Sequence, residues 1–128
     1  MVRRQGSRVG LIHVNVSLKA PGASSNAYEG SFLVDTGATD SMAAASDLVR
    51  AGIESVGRSS YETADGSVHE YRFGLAQIEV MGEITAGRVI FGPEGVEPIL
   101  GVTVLESIGI VVDPANQSLK RLPAVPLK

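Results

Sequence analysis

Asp35, Thr36 and Gly37 follow directly on the apolar run Phe32-Leu33-Val34, so a carboxylate, a hydroxyl and a glycine stand together where an apolar strand ends. A strand of Phe, Leu and Val is stable when both faces are covered. It therefore carries Asp35 to the edge of the interior, where an ionised carboxylate needs donors or a second carboxyl with which to share a proton. Thr36 supplies a hydroxyl and Gly37 a backbone that other groups can approach closely. A carboxyl so placed suits acid–base chemistry. It also suits a rival role, that of a phosphorylated nucleophile at the end of an apolar strand. Such sites commonly place a second acidic residue two positions later to hold magnesium, and that position here is Gly37.

The elements that must hold this triplet are legible as patterns. From Ile12 to Lys19 the chain alternates, with Ile12, Val14, Val16 and Leu18 on one face and His13, Asn15, Ser17 and Lys19 on the other, which predicts a strand with one wet face. A turn-rich loop, Ala20 to Asn26, leads into a second strand, Tyr28 to Asp35, that pairs with the first. Ala43 to Ala51 predicts a short helix with Ser46 or Asp47 as N-cap and Gly52 as its stop. Tyr61 to Val80 predicts a long hairpin whose turn, Ala64-Asp65-Gly66-Ser67, contains the Asp-Gly pair suited to type I′ geometry. A phase change beside Gly74 predicts a bulge there. The remaining expected elements are a strand from Ile84 to Phe91, a short strand Ile99-Leu100-Gly101, a helix from Thr103 to Ile108 closed by Gly109, and a last strand Ile110 to Asp113. Alternating helices of a parallel sheet are missing, which weakens the phosphotransferase alternative.

A chain of 128 residues is expected to form a single domain, here residues 1–128 with a flexible basic arm over 1–8 and a C-terminal tail over 115–128. Its composition, 44% hydrophobic and 20% charged, is that of a globular protein. The net charge of −3 gives no electrostatic reason to expect nucleic acid or an anionic membrane as partner. Cysteine is absent, which excludes disulfides and thiolate metal sites. With two histidines and no cysteine, neither a metal nor another cofactor is expected. No apolar run approaches a membrane span, and Met1-Val2-Arg3-Arg4 leads into Gly6 and Ser7 instead of an apolar signal core, so the expected location is cytoplasmic.

Asp35-Thr36-Gly37-Ala38 behind Phe32-Leu33-Val34, a central hairpin, and Ile99-Leu100-Gly101 before a short helix together resemble the retroviral-type, or retropepsin-like, aspartic proteases. The stretch from Pro98 through Asp113-Pro114 resembles the small prokaryotic members of that clan. The resemblance implies an all-β fold with one or two short helices, a retropepsin-like acid-protease barrel equal to one lobe of a pepsin-like enzyme. It also implies an aspartic endopeptidase in which Asp35, Thr36 and Gly37 are catalytic. Ala38, Thr39 and Asp40, with the flap tip Ala64, Asp65, Gly66 and Ser67, would bind substrate, although for Asp40 capping a turn is the simpler reading. Because the chain carries one such triplet, the second carboxyl must come from another copy, so the expected partners are a second protomer and a peptide or protein substrate. The same fold could instead serve as a dimeric peptide-binding or scaffold domain without useful protease activity. Where retroviral enzymes carry an acidic residue and an arginine, this sequence has Thr39 and Val102. Ala38 replaces the hydroxyl residue of pepsin-like enzymes, which implies a less acidic optimum than theirs.

Overall fold

The structure, a computed structural model, describes residues 11–22 and 26–127. The predicted basic arm over residues 1–8 lies outside them, as does part of the loop before the second strand. In chain order the elements are β1 (His13–Lys19), β2 (Tyr28–Asp35), β3 (Ser41–Ala44), α1 (Ala45–Arg50), β4 (Ser55–Glu62), β5 (Val68–Val80), β6 (Glu83–Gly92), β7 (Ile99–Gly101), α2 (Val102–Ile108), β8 (Ile110–Asp113) and β9 (Ser118–Arg121). Pairing runs β1-β2-β7-β3-β6-β5, and β5 returns to β1, so six strands close into a barrel while β4 extends the sheet beyond β5. This is the mainly-β, single-lobe acid-protease barrel implied by the resemblance. Neither described helix is long and apolar enough to cross a membrane.

Alternation in β1 sends Val16 and Leu18 inward, where they are buried with Ile78 and Val80 of the facing β5. In β2 the alternation gives way to Phe32 and Leu33, both buried, because this end of the strand is flanked by β1 on one side and β7 on the other. Leu100 of β7 and Leu105 of α2 complete the core beneath. Closing the ring removes sheet edges that would otherwise expose unpaired backbone groups. The strand pair β1–β2, the short β7 and a helix ending on left-handed Gly109 all match the sequence.

Several expectations are corrected. The helix predicted over Ala43–Ala51 is shorter: residues Ser41–Ala44 form β3, paired in parallel with β6 and touching β7 at Met42, so tertiary pairing overrides the helical propensity of Met and Ala. Its N-cap is Ala44, with no side-chain cap. Ser46 instead donates its backbone N–H (3.1 Å) and hydroxyl (2.6 Å) to the Glu94 carboxylate, which satisfies a first-turn donor from a distant loop.

The hairpin is longer than predicted, since its first arm reaches back to Ser55, and its turn is not type I′. Of the Asp65-Gly66 pair only Gly66 is left-handed, with φ 88°, whereas type I′ needs both. The Gly66 N–H bonds Thr63 O (2.9 Å) and the Thr63 N–H bonds Ser67 O (2.9 Å), a turn over Thr63–Gly66 that ends on the left-handed glycine. The irregularity expected at Gly74 lies on the opposite strand, where Val56 is the extra residue between the pairs Ser55–Gly74 and Gly57–Phe73. The segment over 115–128, read from the sequence only as a C-terminal tail, contains β9, which pairs with β8, and the Leu122 N–H then bonds Gly109 O at 2.8 Å.

Candidate active site

The Asp35 loop is braced from beneath by β7 and the start of α2. β2 and β7 run parallel, with Asp35 level with Gly101. Just beyond, the Val102 N–H bonds Ala38 O (2.8 Å) and the Thr103 N–H bonds Thr39 O (3.3 Å). The first N–H groups of α2, which any helix leaves unsatisfied, are thus capped by the carbonyls of the active loop. Backbone bonding makes this connection, with Thr39 and Val102 supplying no ion pair. Gly101 allows the close approach: a Cβ there would lie 2.6 Å from Thr39 O and 2.6 Å from the Asp40 carbonyl carbon. Its own N–H bonds the hydroxyl of Ser41 at 3.0 Å, and Ser41 is wholly buried.

Within the loop, the Ala38 N–H closes a turn onto Asp35 O (3.1 Å), and the Gly37 N–H donates to Asp35 Oδ1 at 3.0 Å. Asp35 is half-buried while Thr36 and Gly37 face outward. One carboxylate oxygen is therefore fixed by the loop's own backbone. The other, Oδ2, has no hydrogen-bond partner among the described residues. A surface pocket of about 430 Å³, lined by Asn15, Ser17, Glu29, Ser31, Glu79 and Met81 among others, lies on the β1–β2–β5 wall and shares no residue with this loop.

The ten sequence-predicted site residues fall into two groups. Asp35, Thr36, Gly37, Ala38, Thr39 and Asp40 form the braced loop. Ala64, Asp65, Gly66 and Ser67 form the exposed tip of the β4–β5 hairpin, apart from Ser67, which is half-covered. Asp40 neither caps a turn nor stands free: its Oδ2 accepts the Tyr61 hydroxyl at 2.7 Å, which joins the loop to the hairpin arm. Burial, and then the hydrogen bond to Asp40, push the Tyr61 phenol up, so it remains a donor. Sequence reasoning missed Tyr61 and Ser41. Ser41 carried a usable signal, a polar residue heading the small apolar run Met42-Ala43-Ala44. Tyr61 carried none, since its partner is 21 residues away.

At the hairpin tip, Asp65 Oδ1 accepts the Thr63 hydroxyl (2.7 Å), the Ser67 N–H (3.0 Å) and the Ser67 hydroxyl. These donors, the Ser67 hydroxyl foremost, hold its carboxyl well below the usual carboxylate range. A carboxyl depressed in the folded state contributes order above its unfolded value and loses it only as pH falls through the folded one. The tip should accordingly keep its turn through mild acid. The Ser67 amide resonance is expected to show no inflection near the ordinary aspartate value of about 4; one there would show that the tip is not so held.

No curated protein matches the sequence. Residues 23–107, which run from the loop before β2 through most of α2, match the family model described as gag-polyprotein putative aspartyl protease. That span takes in the braced Asp35 loop, the long hairpin and β7, and over it the chain belongs to this retropepsin-like aspartyl protease family.

Proposed function

We propose that the protein is an aspartic endopeptidase assembled from two copies of the chain. The observation that carries this reading is the state of Asp35: one carboxylate oxygen is held by the Gly37 N–H, the other is unpartnered among the described residues, and Thr36 and Gly37 face outward at a loop braced by β7 and α2. Around a twofold axis the same loop meets itself, so the two Asp35 carboxyls would come together with a water between them. Two carboxylates about 3 Å apart do not both ionise, so the pair would hold one proton. The ionised carboxyl takes a proton from the water as its oxygen bonds the scissile carbonyl carbon, while the protonated carboxyl gives its proton to the carbonyl oxygen. Collapse of the tetrahedral intermediate transfers a proton to the leaving nitrogen and restores the shared-proton state. Thr36 would bond across the axis, Gly37 would leave room for the substrate backbone, and the hairpin tip at Ala64–Ser67 would cover the peptide and exclude water.

Two further features support a second copy as partner. The β8–β9 hairpin pairs with no barrel strand among the described residues, so its outer edges are open to pairing across a twofold axis. Val111 and Val125, 39% and 48% exposed, lie on β8 and in the segment that passes Gly109. The test is the mass in solution at mildly acidic pH, with and without a peptide carrying a non-cleavable tetrahedral mimic. The expected particle is twice the 13.3 kDa protomer in the presence of the peptide. A protein that stays at the protomer mass with the peptide present cannot build the dyad, and the same fold would then act as a binding module.

A further inference from the structure

We propose that the hydrogen bond from the Tyr61 hydroxyl to the Asp40 carboxylate is a latch that sets the height of the β4–β5 flap over Asp35, so that both are positioning residues for hydrolysis. The proposal rests on the endopeptidase reading for its effect on turnover, but the latch itself is a property of the single chain. Its fixed end is Asp40, five positions beyond Asp35 in the same loop and next to Ser41, whose buried hydroxyl holds Gly101. Its moving end is Tyr61, near the end of β4, two residues before the turn at Thr63. The bond is 2.7 Å long, partly buried and charge-assisted, a class roughly twice as strong as neutral hydrogen bonds.

Besides this bond the arm is held by strand pairing and a few cross-strand contacts: among the described residues β4 is the outermost strand and pairs only with β5, and the Arg88 guanidinium of β6 also bears on the Tyr61 hydroxyl. Beside Tyr61, Arg88 of β6 donates to the Ser59 hydroxyl at 2.9 Å and lies 4.0 Å from the centre of the Phe73 ring. The Tyr61 ring packs against Tyr71 at 6.2 Å on the paired strand. These contacts hold the arm against β5 and β6, and among the described residues the Tyr61–Asp40 bond is the side-chain hydrogen bond that joins the arm to the active loop. A flap that closes over a peptide has to be held at a set height, and this bond ties the arm to the active loop close to the tip, beside the Tyr61–His69 pair.

Tyr61→Phe keeps the ring and its packing while removing the donor. The expected result is a fall of about tenfold in kcat/KM on a peptide substrate, carried mainly by KM, together with faster amide exchange over residues 63–68 and a melting temperature lowered by no more than a few degrees. Asp40→Asn retains an acceptor oxygen and should recover most of the loss, Asp40→Ala should match Tyr61→Phe, and the Tyr61→Phe/Asp40→Ala double variant should be no worse than either single one. Flap exchange and KM that stay at wild-type values in Tyr61→Phe, or additive losses in the double variant, would overturn the latch. The exchange measurement needs no turnover. If the wild-type protein hydrolyses nothing, the endopeptidase reading falls while flap exchange in Tyr61→Phe still decides the latch.

Discussion

Asp35→Asn is expected to lower peptide hydrolysis by about 10³-fold or more while leaving the fold in place. The amide is nearly the shape of the carboxyl, and its oxygen can still accept the Gly37 N–H that Asp35 Oδ1 accepts at 3.0 Å. The loop, its turn onto Ala38 and its bracing by α2 do not depend on the charge. What the variant removes is the capacity to hold and pass a proton, on which the proposed reaction depends in both halves. It also removes the cost of bringing two carboxyls together, so the variant should associate at least as tightly as the wild-type protein. Loss of activity with intact association separates a chemical role from a structural one. Cleavage that persists in Asp35→Asn would remove Asp35 from the mechanism.

Gly101→Ala should be the most damaging single-methyl change in the described structure's active-loop support. The backbone at Gly101 has φ −80°, which any residue adopts, so the penalty comes from space alone. The added Cβ would meet the backbone of Thr39 and Asp40 at 2.6 Å, and backbone held by α2 and β3 cannot step aside as a side chain would. Overpacking of this kind costs about 1–3 kcal/mol. Relief requires the loop to shift, and a misplacement of about 1 Å in a catalytic group is worth about a hundredfold in rate. Gly87→Ala is the control: it is also a strand glycine, but its Cβ would meet Ile78 Cδ1 at 3.8 Å, ordinary contact. That variant should be neutral or slightly stabilising through the unfolded chain. Equal melting temperatures and equal rates for the two variants would contradict the close packing of β7 beneath the loop.

How far the sequence carried the structure depended on whether an element's pattern was set by its own residues. β2, β7 and α2 were legible because their apolar residues are also their buried ones, Phe32 and Leu33, Leu100, Val104 and Leu105. β3 was not, because Met42-Ala43-Ala44 has no strand preference and becomes a strand by lying between β6 and β7. The first six residues of β4, Ser55-Val56-Gly57-Arg58-Ser59-Ser60, have no alternation to detect; they form a strand because β5 offers them an edge. β9 is four residues long and mostly polar, and it owes its pairing to the turn that Asp113 stabilises by accepting the Ala115 N–H at 3.1 Å.

Of the site, the Asp35 loop could be read because its chemistry is contiguous in sequence. Of its supports, β7 and α2 were legible as apolar runs, whereas the pairings were not: Ser41 signals burial but not its partner Gly101, 60 positions away, and Tyr61 meets Asp40 across 21. The turn type at the tip was misjudged for a related reason. Asp65-Gly66 suits type I′ in isolation, but the Asp65 carboxylate is engaged with Thr63 and Ser67, and that bonding selects a different turn.

Two copies of Asp35 acting as one site is the claim on which the proposed chemistry rests, and co-refolding wild-type chain with Asp35→Asn chain at varied ratios tests it most directly. If each active particle needs Asp35 from both protomers, activity at constant total protein falls as the square of the wild-type fraction. Activity that falls in simple proportion to the wild-type fraction would mean that each chain acts alone, and would contradict the shared dyad.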